Sequence, residues 1–261
     1  MTTKELYEYV SKIEKRTSQN IPKILNPKPI NNNSNEKLFI DPYVLGVWLG
    51  DGSKGTGMIT QEKDSPLWEE IKSRGYEVGL NTQHNPDREN VEIKTIYGLR
   101  TLLNEYGILN NKDIPEDYYT ASFEQRLDLL RGFMDTDGYY HPKRKRFVMA
   151  TGQEWQKNAL VKLLGTLGIK STVFYVKKKC GDKYFDGWDI CFSTNGLNPF
   201  LLRNQNIEFP NKDNNSFRNI ESVVLVDTVP TQCLEVDSPT HTFLGTGHQD
   251  GRPILQDPGH R

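Results

Sequence analysis

Residues 45–53 read LGVWLGDGS, and residues 130–139 read LRGFMDTDGY. Each is an apolar helical stretch that carries small residues four apart and ends in Asp-Gly. The small residues are Gly46 and Gly50 in the first, Gly132 and Thr136 in the second. A glycine inside a helix costs up to about 1 kcal/mol relative to alanine. Close helix-to-helix contact along the small residues offsets that cost, because it lets two backbones reach van der Waals distance. Two helices in such contact would set Asp51 and Asp137 side by side. Paired carboxylates are expensive to hold together unless a cation sits between them, which points to a divalent metal and to phosphate chemistry.

The pattern belongs to a longer repeat. Segments 42–109 and 126–207 carry the same order of elements downstream of the two Asp-Gly stops. Asp41 followed by Pro42 predicts a helix start, and Ser122 with Gln125 predicts a capping box. Gly52 and Gly138 read as helix stops. A short strand follows at Gly57–Thr60 or Phe147–Thr151. An amphipathic helix then carries Leu67, Trp68 and Ile71, or Trp155, Leu160, Leu163, Leu164 and Leu167. Next comes a β-hairpin, clearest in STVFYVKKK and YFDGWDICF. A last helix is expected at Leu99–Tyr106 and Leu197–Asn204. The fold class is therefore α+β, with two tandem pseudo-symmetric αββαββα units, residues 37–121 and 122–216. Residues 1–36 read as an extension and linker, with NNNSN at 31–35. A short β segment occupies 217–249, and a tail without periodicity occupies 250–261.

Composition bounds the function more loosely. The 261 residues are enough for a real core, and 35% are hydrophobic. No run is long enough to span a bilayer. The start MTTKELYEYVSKIEKR lacks the apolar core of a signal peptide, so an intracellular protein is expected. Cys180, Cys191 and Cys233 are too scattered for a disulfide framework or a structural zinc. The formal net charge of −1 does not advertise nucleic acid binding, but HPKRKR at 141–146 and KKKCGDK at 177–183 fall on turns of the second unit.

The two motifs, their separation and the internal repeat resemble the LAGLIDADG homing endonucleases of the single-chain, two-motif kind, over roughly residues 40–210. The resemblance implies a site-specific double-strand DNA endonuclease. It implies motif helices at a pseudo-twofold interface and curved antiparallel sheets that enter the DNA major groove. The metal set it carries over is Asp51 and Asp137, flanked by Gly50 and Thr136, with Asp135 as a helix-packing or hydrogen-bonding residue. Mg²⁺ is the expected ion, with Mn²⁺ as a substitute and Ca²⁺ supporting binding without cleavage. Such ions position water and neutralise charge on phosphate with few protein ligands. Lys94, Gln61 and Gln153 complete the expected catalytic set. Cys191 stands opposite Lys94 in the overlay of VEIKTIY on WDICFST, which suggests unequal cutting of the two strands. DNA contacts are expected from Lys54, Arg144, Lys145, Arg146, Lys177, Lys178, Lys179 and Lys183. The target is a duplex of roughly two helical turns bound by a monomer.

Residues 217–249 resemble the C-terminal strands of an intein splicing domain, through CLEVDSPTHTFL. Cys233, His241, His248 and Gln249 stand where intein splicing residues stand. Asp250 follows instead of a nucleophile, which disfavours splicing by this chain alone. The alternatives are a catalytically silent DNA- or RNA-binding protein on the same scaffold, and the C-terminal part of a split intein with a separately encoded N-terminal partner.

Overall fold

The computed structural model describes residues 2–17, 19–26, 28–30, 37–79, 83–84, 90–180, 183–194, 196–203, 217–224, 245–246 and 253–254. Side chains at 83, 84, 178–180, 245, 246, 253 and 254 fall outside that description. In chain order the elements begin with α1 (Thr3–Ser11), β1 (Lys23–Leu25), α2 (Pro42–Asp51), β2 (Met58–Glu62) and α3 (Leu67–Ser73). Next come β3 (Gln83–His84), β4 (Val91–Thr95), α4 (Leu99–Glu105), α5 (Glu116–Thr120) and α6 (Phe123–Asp137). The second half continues with β5 (Gly138–His141), β6 (Arg146–Thr151), α7 (Glu154–Thr166), β7 (Ser171–Cys180) and β8 (Lys183–Phe192). It ends with β9 (Phe217–Asn219), β10 (Gly245–Thr246) and β11 (Pro253–Ile254). The chain forms two compact units, Pro29–Asn211 and a second made of Met1–Lys28 with Lys212–Arg261.

The larger unit is built on α2 and α6. Asp41 caps α2 by accepting from the backbone N–H groups of Tyr43 and Val44, with Pro42 in the first turn. Ser122 and Gln125 form the expected capping box on α6. The two helices meet at their glycines. A Cβ at Gly46 would lie 3.0 Å from the Gly132 Cα, and one at Gly132 would lie 2.8 Å from the Val47 nitrogen. One turn further, a Cβ at Gly50 would lie 2.8 Å from the Thr136 Cβ. The small residues therefore hold the two backbones in direct contact, as the spacing predicts. Around them Val47, Trp48, Leu130, Phe133 and Met134 are fully buried.

Gly52 and Gly138 do stop the helices, but in extended conformations (φ −76° and −86°) and not in the left-handed region. Glycine is needed there for space. A Cβ at Gly52 would clash with the Trp48 ring, lying 2.6 Å from its Cγ and closer still to its Cδ1, and one at Gly138 would meet the Met134 sulfur at 2.7 Å.

Each repeat adds an antiparallel sheet. The second has four strands in the order β5-β6-β8-β7. The first has three, β2-β4-β3. Its expected first hairpin strand is reduced to a single bridge between Gly52 and Ile59. The helix expected at 197–204 is also replaced: residues 196–203 form turns and bends. Pro199 has no N–H to donate, and the Asn198 side chain accepts from the Phe200 N–H at 3.0 Å. The N–H groups of Leu201, Leu202 and Arg203 turn to a side chain, Asp135, and not to helical carbonyls. The guanidinium of Arg126, fully buried, joins α6 to its surroundings by donating to the carbonyls of Ala121, Thr166 and Ile30.

In the smaller unit α1 is closed by a Thr2–Glu5 capping box. β1 pairs antiparallel with β9, placing Ile24 opposite Arg218, and β10 pairs with β11. The N-terminal stretch expected as extension and linker thus contributes a helix and a strand. Among the described residues no helix is long and apolar enough to cross a membrane.

Gly132→Ala should force the two helix backbones apart, because its Cβ meets main-chain atoms that have no rotamer to yield. The expected cost is about 1–3 kcal/mol, read as a lower urea midpoint with an unchanged slope.

Candidate functional site: paired carboxylates at the helix contact

Because α2 and α6 run to their ends in contact, their last residues, Asp51 and Asp137, come together. A Cβ at Gly50 would lie 3.3 Å from the Asp137 Oδ2. Burial and the charge of Asp137 push the Asp51 pKa up from 3.8 to about 6, and burial raises that of Asp137. Each carboxylate spends its Oδ2 on a side-chain amide. Gln61 donates to Asp51, and Gln156 donates to Asp137 at 3.0 Å.

The strand registers explain why different residues serve the two halves. Gly52 bridges Ile59, which pairs with Lys94; Gly138 pairs with Met149, which pairs with Ile190. Lys94 therefore corresponds to Ile190 and not to Cys191, which is buried and lies one step along β8. The overlay expected at the sequence level is off by one residue. By the same register Gln61 corresponds to Thr151. The threonine hydroxyl is too short to reach the carboxylate, so it donates to the Gln156 Oε1 at 2.5 Å, and Gln156 reaches Asp137. Gln153, of the expected catalytic set, stands at the N-cap of α7 and lines a cavity of about 300 Å³ beside the site. Lys54, Lys112, Asp137 and Gln156 line the same cavity.

Lys94 does not reach the carboxylates. Its ammonium pairs with Glu92 at 3.0 Å and lies 4.7 Å from the centre of the Trp68 ring. The cations that act on both carboxylates are Lys112 and Arg203. The Lys112 ammonium donates to the carbonyls of Leu49 at 3.1 Å and Gly50 at 3.2 Å, and lies over the Trp48 ring. Burial lowers its pKa from 10.5 to about 8, against the pull of Asp137 and Asp51. Sequence reasoning missed Lys112, Gln156 and Arg203. Lys112 sits in the polar spacer NNKDIP, and Arg203 in the stretch expected as a helix. Neither position carries a motif that could have singled it out.

Of the expected metal set, Asp51 and Asp137 fit a hard cation. Each keeps its Oδ1 without a partner among the described residues, and their mutual repulsion is the kind a divalent ion relieves. The Gly50 carbonyl is taken by Lys112. The Thr136 hydroxyl donates within its own helix, to the Phe133 carbonyl at 2.8 Å. Among the described residues no cluster of three His, Cys, Asp or Glu side chains adds to the pair.

The expected DNA-binding cations lie apart from this point, Lys54 excepted. Arg144 and Lys145 form the β5–β6 turn, with Arg146 opening β6, and all three are exposed. Lys177 and Lys183 are exposed on the β7–β8 hairpin, and Lys177 stands 4.0 Å from Asp186. The side chains of Lys178 and Lys179 lie outside the described residues, as do Cys233, His241, His248 and Gln249.

The folded protein holds the Asp51 proton more tightly than the unfolded chain does, so metal-free stability falls as pH rises from about 4 to 6. Lys112 acts oppositely: its charge costs stability below about pH 8, and stability recovers as pH rises from there toward 10.5. Asp51→Asn should therefore raise metal-free stability at pH 7 by about 1–3 kcal/mol and flatten the loss between pH 4 and 6. Thermal unfolding across that range checks this. Mg²⁺ should raise the melting temperature of the wild type but not of the variant.

Residues 124–195 match the family model of the LAGLIDADG-like domain. A replicative DNA helicase DnaB from Mycobacterium intracellulare is 25% identical over 216 residues, covering 80% of this chain and 34% of the helicase. A DNA polymerase from Thermococcus kodakarensis is 38% identical over 85 residues, covering 32% of this chain and 5% of the polymerase. The chain thus spans about a third of the helicase and a twentieth of the polymerase. Among solved structures, the homing endonuclease I-DmoI in complex with DNA and Ca aligns with a TM-score of 0.41 and 14% identity, covering 63% of this chain and 93% of that one. The N-terminal LAGLIDADG domain of DUF199/WhiA aligns with a TM-score of 0.37 and 11% identity, covering 73% and 84%. The matched residues run from the first turn of α6 to just past the end of β8, so the similarity to the LAGLIDADG-like domain lies in the second half of the larger unit.

Proposed function

We propose that this protein is a metal-dependent, site-specific endonuclease that cuts both strands of duplex DNA. The observation that carries the reading is the carboxylate pair, which two equivalent helix ends hold together at an electrostatic cost. A fold gains nothing by such repulsion, so a ligand that relieves it is the physical reason to keep it.

Asp51 and Asp137 would hold Mg²⁺, which supplies water activation and charge neutralisation on the phosphate when bound. The remaining work belongs to the protein. Gln61 and Gln156 fix the orientation of the two carboxylates through their amide donors. Lys112, charged at neutral pH, offers positive potential to the charge that develops on a phosphate. Gln153 and Lys54 line the approach. The exposed cations of the β5–β6 turn and the β7–β8 hairpin bind phosphates along the duplex. The two sites are served by different residues, which supports unequal rates on the two strands.

One observation favours a second reading. Lys112 already places a cation in the field of both carboxylates, which suits a catalytically silent binder of DNA or RNA on this scaffold. The chain also matches a minor part of two replication proteins, the pattern of an inserted element, which supports an intein origin for residues 217–249.

Cleavage of a randomised duplex library in Mg²⁺, with Ca²⁺ as control, tests the proposal. Discrete cuts in Mg²⁺ only are expected. Uncut but selectively bound DNA would move the assignment to the silent binder. Asp51→Asn or Asp137→Asn should abolish double-strand cleavage and keep most of the DNA affinity. Lys112→Met should slow cleavage by about 10²–10³-fold with little change in binding. Cleavage by either Asp variant at the wild-type rate sinks the metal role.

A further inference from the structure

The buried carboxylate of Asp135 has no part in the chemistry above. It is 2% exposed and lies two residues before Asp137 on α6. Its Oδ2 accepts from the Tyr43 hydroxyl at 2.9 Å and from the N–H groups of Leu201 at 3.2 Å and Leu202 at 3.1 Å. Its Oδ1 accepts from the N–H groups of Leu202 and Arg203, both at 3.3 Å. A carboxylate satisfied by three consecutive backbone donors is a strong anchor, because charge-assisted bonds exceed neutral ones and these sit where water does not compete.

The anchored segment ends in Arg203. Its backbone is fixed, but among the described residues its guanidinium has no ion pair or hydrogen bond. That backbone is tied to Asp135, two residues before Asp137 on the same helix. The first repeat solves the same problem in another way. Leu49 occupies the position equivalent to Asp135, and it is the Lys112 ammonium itself that is tied down, on the carbonyls of Leu49 and Gly50. Each half therefore offers one cation from irregular chain, Lys112 after α4 and Arg203 after β8. One is held by its head and the other by its backbone.

We propose that Asp135 is a positioning residue: by clamping the N–H groups of residues 201–203 next to the end of α6 it presents the exposed Arg203 side chain, from an anchored backbone, to a DNA phosphate. A planar guanidinium offers two parallel donors to phosphate oxygens. Its free head distinguishes it from Lys112, whose donors are partly used. The phosphate half of this inference rests on the DNA reading above, and the clamp half does not.

Two measurements on the full chain separate them. The first is amide hydrogen exchange. In the wild type and in Arg203→Gln, the amides of 201–203 should be protected. In Asp135→Asn, which keeps the volume but replaces one acceptor oxygen with a carboxamide NH2 donor, protection there should be lost by tenfold or more while the α2 and α6 amides keep theirs. Unchanged protection in Asp135→Asn overturns the clamp. The second is binding to a 24-base-pair duplex of random sequence at several salt concentrations, without divalent metal. Arg203→Gln should lower the slope of log affinity against log salt by about one phosphate contact. Asp135→Asn should lower it equally although Arg203 is still present, and the double variant should lose no more than either single. Additive losses, or a wild-type slope in Asp135→Asn, overturn the positioning role. Protected amides in a wild type that shows no salt-dependent DNA binding would leave the clamp standing and overturn the phosphate role together with the DNA reading.

Discussion

The contact between α2 and α6 is the constraint from which the larger unit follows. At Gly46 and Gly132 no side chain separates the two helices, so backbone meets backbone. That closeness fixes where both helices end, and the ends carry Asp51 and Asp137. A leucine-lined interface would keep helix axes roughly 8–10 Å apart and let the two carboxylates drift into separate, solvated positions. The cost of helical glycine and the cost of paired charge are thus two consequences of one arrangement. The apolar side chains that flank the stripe, Val47, Trp48, Phe133 and Met134 among them, supply the burial that offsets both.

The groups around the carboxylates come from four different places. Gln61 lies on β2, Gln156 on α7, Lys112 follows α4, and Arg203 follows β8. Two amides each take one carboxylate oxygen, and two cations lower the cost of ionisation without neutralising it. The pair remains partly frustrated: Asp51 is still pushed up to about 6 and Lys112 down to about 8. A site built only for stability would resolve that conflict with an apolar pair or a direct ion pair. Its persistence is the feature that the proposed binding of a cation and a phosphate accounts for.

The two repeats share a plan but not their details. Gln61 reaches its aspartate directly, whereas Thr151 in the equivalent place reaches Asp137 through Gln156. Leu49 and Asp135 occupy one position, but the first accepts an ammonium on its backbone carbonyl and the second accepts backbone N–H groups on its side chain. One sheet has three strands, the other four. Each difference is local, and both halves keep the same outcome at the centre, one side-chain amide on each carboxylate.

Two helices with small residues four apart, an Asp-Gly end on each, and the caps at Asp41 and Ser122 were legible in the sequence, because they are local or periodic signals. The carboxylate pair followed from them by geometry alone. What the sequence could not carry was anything set by register or by a long excursion of the chain. A one-residue shift along β8 moved the counterpart of Lys94 from Cys191 to Ile190, since overlaying letters does not reveal which residues face each other across a ladder. The helix expected at 197–204 was lost to a competitor distant in sequence, the buried Asp135, whose oxygens outbid helical carbonyls for three N–H groups. Lys112 and Arg203 carry no motif at all. The sequence by itself determined that two helices meet and that two carboxylates meet with them, because small side chains at helical spacing permit little else. Only the tertiary structure decided which amides and cations surround that pair, because those partners are chosen by the space that packing leaves and not by their neighbours along the chain.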